Sequence, residues 1–444
     1  MNVTLTNLSK VYGPVYQLQM GSRRFVIVNG QKAVREGLTG TNGADIAARP
    51  ELSSYEGFGV FGEPGYRPSF KMYKKLTVQA MTMFGNHRRS DLQEVAYRAI
   101  DMLMTDLKAV AGQPYDSKPT LYRVVWTIMG FICYGRFFNQ DDPEVLEILQ
   151  TADGFGKAVM FGVISDYLPW TKPLMKKQLM AYKRLTETIQ SQSVKLARQN
   201  FQSWDGTTLR TVADMFRKTH QDMSEAEKQE VTDEQLLKML NNIFGAGFGT
   251  IAITVKWSIL LLAKHQDIQV KMQQELDSVL GDDQPTFDDQ TRLPFCTAVL
   301  AEVYRVSSMA ALAMTHMTLR DVKLCGVSIP KETPVVFNLY SSHFDESAWK
   351  HPHQFDPYRF IDRDSHQLNK TALENVVPYG LGPRRCGGEH LARLEIFIFF
   401  VSIFHQCEIE EAPGEKLDPE DYTFGLGIDP RPFRVVYKSR RGLW

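Results

Sequence analysis

Residues 379–404 read YGLGPRRCGGEHLARLEIFIFFVSIF, a turn holding four glycines, one proline and two arginines that runs directly into an apolar helix. Glycines in such a turn let the backbone take positive φ and approach a flat ligand closely. Cys386 stands at the helix start, where free N–H groups and the positive end of the helix dipole favour a thiolate. For an arbitrary cysteine, a buried and inert thiol is the commoner role.

Upstream of this turn, 351–364 reads as a loop with Pro352, Pro357 and several aromatics, and 319–338 (LRDVKLCGVSIPKETPVVFN) as short strands broken by Gly and Pro. Long helices are expected over 92–110, over 174–199 and over 241–264. The last is apolar on nearly every side, which places it in a core. The chain starts with two β-rich runs, VYQLQMG and RRFVIVNG, that fit a small hairpin. Neither repeats nor low-complexity linkers divide the sequence. The pattern implies one domain over 1–444, mainly α, with a small β-rich lobe.

Lys+Arg and Asp+Glu both total 51, so nothing points to nucleic acid, and electrostatic docking must come from local patches. The five cysteines are odd in number and widely spaced, which argues against a disulfide scaffold or a zinc site. The N-terminal MNVTLTNLSKVYGP has neither a basic n-region nor an apolar h-region. The apolar run 396–404 covers about half of what a spanning helix needs. On these grounds the chain as given is not expected to be an integral membrane protein.

Three further stretches carry chemistry. In AEVYRVSS, Glu302 and Arg305 share one helix face and can form a charge-assisted pair. An isolated pair of this kind usually decorates a solvated surface. In 246–250, Ala246-Gly247-Phe248-Gly249-Thr250, small residues let a helix pass close over a ligand, although glycines at this spacing also serve helix packing. In 70–75, FKMYKK, Lys71, Lys74 and Lys75 join Arg385 as candidates for a basic docking patch or, equally, for a solvated face.

Taken together these motifs resemble the cytochrome P450 superfamily. Tyr379-x-x-Gly382-x-Arg384-x-Cys386-x-Gly388 is similar to its cysteine-ligand loop in four of five defined positions, with Tyr379 in place of Phe. The resemblance makes Cys386 the axial ligand of a haem b iron and pairs Arg384 with a haem propionate. Arg305 lies 81 residues before Cys386, a distance similar to that of the family's buried Glu-x-x-Arg. FDPYRF between them resembles the segment whose arginine, here Arg359, completes a Glu302/Arg305/Arg359 structural network. Phe70 and Lys74 stand where the family has Trp and Arg at the haem edge, and His316 where relatives offer His or Arg to a propionate. Ala246, Gly247, Gly249 and Thr250 resemble the oxygen-activating segment, with Gly249 in place of the usual acid. That change removes a proton donor of a kind typically worth ~10²–10⁴-fold.

The resemblance covers essentially the whole chain. YGPVYQLQMGSR, DYLPW (166–170), IFGAGF and the Arg305-x-Ser307-Ser308 helix end look most like animal microsomal enzymes of the aryl-hydrocarbon-oxidising and steroid 17α-hydroxylase families. It implies the P450 fold, with haem buried between distal and proximal helices. The implied reaction is RH + O₂ + 2e⁻ + 2H⁺ → ROH + H₂O. Electrons would come from NADPH through NADPH-cytochrome P450 reductase, with cytochrome b5 as a further donor. The substrate would be lipophilic, steroid-like or polycyclic, in a pocket under Phe248, 309–314 and Phe424. Such relatives carry an N-terminal anchor, which implies the cytoplasmic face of the endoplasmic reticulum membrane. Two other classes stay open: a haem-thiolate isomerase or peroxide-using enzyme, favoured by Gly249, and a non-catalytic haem or lipid binder.

Overall fold

The computed structural model describes residues 1–86, 88–137, 163–425, 427–440 and 442. A helix, α1 (Asn2–Tyr12), precedes the expected hairpin of β1 (Val15–Met20) and β2 (Arg23–Val28). The strands are the first elements the sequence signals, because the polar α1 stretch shows little apolar periodicity. Its anchors are tertiary: Leu5 is buried, and the Tyr16 hydroxyl donates to the Leu5 carbonyl at 2.8 Å.

After α2 (Gln31–Leu38) come α3 (Pro68–Asn86), α4 (Arg89–Ala109), the short β3 (Pro114–Tyr115) and α5 (Lys118–Tyr134). Beyond residue 162 follow α6 (Lys176–Gln202), α7 (Val212–Gln221), α8 (Asp233–Lys264), α9 (Gln266–Leu280) and α10 (Pro294–Ser307). The helices expected over 92–110 and 174–199 are α4 and α6, displaced by up to three residues. The one expected over 241–264 begins eight residues earlier, at Asp233. Thr232 caps it reciprocally with Gln235, a local signal that lies outside the apolar run.

The β-rich part is four small sheets. β4 (His316–Met317), β5 (Val322–Leu324), β6 (Val327–Ile329) and β7 (Pro334–Phe337) fall within or next to 319–338. β7 runs parallel to β2 and antiparallel to β4, giving the order β1-β2-β7-β4. α11 (Glu389–Gln406) follows the cysteine turn. β8 (Cys407–Glu411), β9 (Tyr422–Phe424), β10 (Ile428–Pro430) and β11 (Val435–Ser439) then close the chain.

α8 is the centre of the molecule, packed on α5, α6, α10 and α11. Among the described residues it is the one helix long and apolar enough to cross a membrane, and 72% of its most apolar window lies inside the protein. Residues 394–405 of α11 are likewise buried. A helix that is apolar all round needs neighbours on every side. α8 finds them in α5, α6, α10 and α11, and α11, which begins just after the cysteine turn, packs against it.

Candidate active site

The cysteine turn is built by its backbone. The Cys386 amide donates to the Tyr379 carbonyl at 2.9 Å, and the Arg385 amide to the Gly382 carbonyl at 3.1 Å. Gly380 and Gly382 both adopt φ of +68°, and a Cβ at Gly382 would overlap the Leu38 carbonyl oxygen. Gly388 has negative φ and open space where a Cβ would stand. The protein itself therefore demands glycine at 382 and not at 388. The Tyr379 hydroxyl is 3.4 Å from that of Tyr304 on α10, and Arg393 lies over the Tyr379 ring.

Cys386 is exposed, unlike Cys133, Cys296 and Cys407. Nearby protein atoms, by partly desolvating the thiol, push its pKa up, while the Gly388 amide, Lys74 and Arg385 lower it. A coordinating metal deprotonates such a thiol outright.

Beside the turn lies a group of basic side chains, Arg49 and His316 buried and Arg384 and Lys74 half-buried. Arg384 donates from Nε to Ala47 O at 2.7 Å and from Nη2 to Gly65 O at 3.2 Å, with Phe70 3.6 Å and Tyr66 5.2 Å from its guanidinium. Its Nη1 is buried without an acceptor among the described residues. Arg49, which the sequence reading missed, donates to the carbonyls of Met314 (2.8 Å) and Thr315 (2.9 Å). Burial, then Arg49, lowers the Arg384 pKa to about 9, and burial lowers that of Arg49 to about 10.

His316 is placed by β4 with Nδ1 2.9 Å from Ile46 O. Burial, with Arg49 and Arg384 nearby, keeps it neutral. Lys74 donates to Pro383 O at 2.5 Å, and burial followed by Arg384 lowers its pKa. None of Arg384, Arg49 and Lys74 forms an ion pair with a carboxylate among the described residues, and for the buried Arg49 an unpaired charge is costly. Only an Arg in the weak context Ala48-Arg49-Pro50 hinted at Arg49, since the two carbonyls its Nη1 binds are more than 250 residues away.

On α8, Gly245 and Ala246 are exposed and Gly249 and Thr250 half-exposed, in the middle of a buried helix. Cβ atoms at Gly245 or Gly249 would meet nothing within 4 Å. Gly247 is different: a Cβ there would run into the Met129 side chain of α5. Phe248 likewise turns to α5, edge-on to Trp126 at 5.2 Å. Both had been expected on the ligand side, but helical phase puts them on the packing face. The Thr250 hydroxyl donates to Ala246 O at 2.8 Å.

Glu302 and Arg305 are fully buried in a two-pronged pair of 2.7 and 2.8 Å, and Arg359 Nε reaches Glu302 at 3.1 Å. Arg305 also donates to the carbonyls of His343, Pro352 and Gln354. His343, held neutral with a pKa lowered to about 3 by burial and Arg305, accepts from the Val377 amide at 3.0 Å. This histidine, also missed, links the network to the strand of chain entering the cysteine turn.

An apolar cleft lies between the first sheet and the 309–315 segment, lined by Met20, Phe25, Tyr55, Met309, Met314 and Phe424. The expected 309–314 and Phe424 are there, and Phe248 is not. The cleft shares Met314 and Thr315 with the partners of Arg49. Lys71 and Lys75 are exposed, while Arg385 is paired with Glu389, which also binds Arg393 at 2.9 Å. Arg385 is therefore a weaker contributor to a basic patch than its sequence position suggests.

The cytochrome P450 family model matches residues 1–437. The chain is a cytochrome P450. This P450 is 31% identical over 435 residues to cytochrome P450 1A1 of Platichthys flesus, covering 94% of this chain and 82% of that protein. It is 31% identical over 432 residues to the Rattus norvegicus 1A1 protein, with the same coverage. A zebrafish cytochrome P450 solved with progesterone superposes with a TM-score of 0.87 at 28% identity, over 98% of this chain and 99% of that one. The zebrafish structure with abiraterone gives 0.85 at 26%, over 99% of both. The P450 is a monooxygenase, an oxidoreductase of a haem-dependent family.

Proposed function

We propose that this P450 holds haem through Cys386, and inserts one oxygen atom from O₂ into a lipophilic substrate of steroid or polycyclic shape. The observation that carries the reading is the Arg384 Nη1 proton, buried without an acceptor beside Arg49 and next to an exposed Cys386. A buried, unsatisfied donor costs about 1–3 kcal/mol, and a carboxylate is the partner a guanidinium accepts best. Haem offers an iron for the thiolate and propionates for Arg384, with Arg49, Lys74 and His316 around them and Phe70 packed on Arg384. Bound haem supplies the one-electron and oxygen chemistry, and a thiolate ligand suits it to oxygen cleavage.

The chain's own residues bind, shield and deliver protons. The exposed stretch Gly245–Ala246 and Gly249 leave room over the ligand face of α8. Thr250 carries a hydroxyl proton on a helix whose carbonyl at Ala246 fixes its orientation. With Gly249 at the acid position, Thr250 and solvent carry proton delivery. The network of Glu302, Arg305 and Arg359 holds the chain around the cysteine turn and makes no contact with substrate. Lys71 and Lys75 fit an acidic flavoprotein such as NADPH-cytochrome P450 reductase, with cytochrome b5 as a second donor. Exposed Trp170 (67%) and Leu174 (79%) beside Lys172 and Lys176 fit a membrane surface, in keeping with the microsomal relatives. One unit, 1–444, performs these tasks.

The test is to load the protein with haem, reduce it under carbon monoxide and record the Soret band. A strongly red-shifted band that disappears in Cys386→Ala is expected; an unshifted band, or one indifferent to the mutation, overturns the reading. The open position at Gly249 favours one second reading, a peroxide-using or isomerising enzyme. Turnover without NADPH and reductase would select it.

A further inference from the structure

α8 carries a lysine in its buried half that the chemistry above does not use. Lys256 is 1% exposed. Its ammonium donates to the Asp429 carboxylate at 2.9 Å and to the Pro430 carbonyl at 2.5 Å, and lies 5.6 Å from the Phe433 ring. The next residue, Trp257, donates from Nε1 to Ile428 O at 2.9 Å. Two consecutive side chains of the core helix thus grip three consecutive residues of β10. Lys118 at the start of α5 reaches the same carboxylate at 3.2 Å from the more exposed side.

β10 is the return strand of a hairpin with β9, and its tip contributes Phe424, Gly425 and Gly427 to the cleft. The tip is pressed against the opposite wall. Ile428 donates to Met309 O at 2.8 Å, and a Cβ on Gly427 would lie 2.7 Å from the Met309 sulfur. Met309 and Phe424 therefore face the cleft from two segments whose separation is set where β10 meets α8. An apolar residue at 256 would avoid the cost of burying an ammonium. What the charge provides, and an apolar side chain does not, is a directional bond to a specific carboxylate.

We infer that Lys256 and Asp429 form a clamp that fixes the β9–β10 tip against Met309, and so position Phe424 to set which lipophilic substrates fit and at which carbon they are presented. This rests on the reading of the cleft as the substrate site. Lys256 touches neither substrate nor haem and acts through the tip.

The experiment uses the haem-loaded chain with progesterone as probe, comparing wild type, Lys256→Met, Asp429→Asn and, as a control cation on the same helix, Lys264→Met, whose ammonium bonds Leu417 O instead. Three quantities are read: the reduced carbon monoxide band, the progesterone dissociation constant from the substrate-induced Soret shift, and amide exchange across 422–430. Lys256→Met is expected to keep the band and its affinity for imidazole, speed exchange in 422–430, and weaken progesterone by about tenfold or more, the range one altered pocket wall costs. KM should rise with kcat little changed, and the ratio of hydroxylated products should shift. Asp429→Asn, at the more accessible partner, should move the same readouts in the same direction and covers the case where Lys256→Met fails to fold. Lys264→Met should move none of them.

Unchanged exchange, or faster exchange with unchanged affinity and products, overturns the inference. A wild-type chain with no red-shifted band overturns the reading of the site and the inference with it; an intact band with inert variants overturns the inference alone.

Discussion

Glu395 sits nine residues beyond Cys386, fully buried in α11, with neither carboxyl oxygen hydrogen-bonded among the described residues. Burial raises its pKa from 4.5 to about 8. The folded chain thus keeps a proton that the unfolded chain releases, so stability falls as pH rises from about 4.5 to about 8 and is level above that. Glu395→Gln keeps the shape and removes the titration. It should flatten this part of the stability profile, with the gain over wild type growing through that window to a few kcal/mol, read as melting temperature against pH. Gly249 offers a second test at this scale. A side chain there enters open space, so Gly249→Asp should fold normally. Supplying the absent acid should raise reductase-supported kcat by roughly 10²-fold at most, with little change in KM. A fall in kcat would mean that the position serves another purpose.

At the scale of elements, a buried charged network joins α10 to the segments that lead into the cysteine turn. Removing one partner from a buried charge pair typically costs about 3–5 kcal/mol, because the other charge is left stranded. Arg305→Ala leaves Glu302 facing only Arg359 and the Asp356 amide, and removes the donor to the carbonyls of His343 and Pro352, while Gln354 O keeps Arg359. A loss of that size in denaturant unfolding is expected, together with faster haem loss, since His343 passes the strain to Val377. The Glu-x-x-Arg spacing was visible in sequence because both residues lie within one helical turn. His343 was not, because its partners are Val377, Ser308 and the arginine's far side. On α8 the small-residue run was legible as a run, but which glycine faces which neighbour was fixed only by the packing of α5. That packing turned Gly247 and Phe248 away from the ligand side.

For the whole molecule, equal numbers of acidic and basic residues leave no net field, so steering of an electron donor must come from a local face. Lys71 and Lys75 are exposed near the turn, while Arg385 is neutralised by Glu389. Charge reversal at Lys71 and Lys75 should raise the KM for reductase and flatten the dependence of rate on salt, since screening acts within about 10 Å at 0.1 M. The same reversal at Arg385 should do less. Equal effects at all three would contradict the pairing of Arg385 with Glu389.

The sequence by itself determined the helical class, the hairpin near the start and the cysteine turn with its arginine. It also gave the family resemblance, because each of these is carried by residues within a few positions of one another. Local spacing reports helix face, turn chemistry and capping directly. The tertiary structure decided what depends on distant partners. It brought Arg49 to Arg384 and gave His343 its place between α10 and the turn. It buried Glu395 without a partner among the described residues and tied Lys256 to Asp429. Those contacts span from about forty to more than three hundred residues, or depend on desolvation. Neither long-range closure nor burial leaves a periodic trace in the chain.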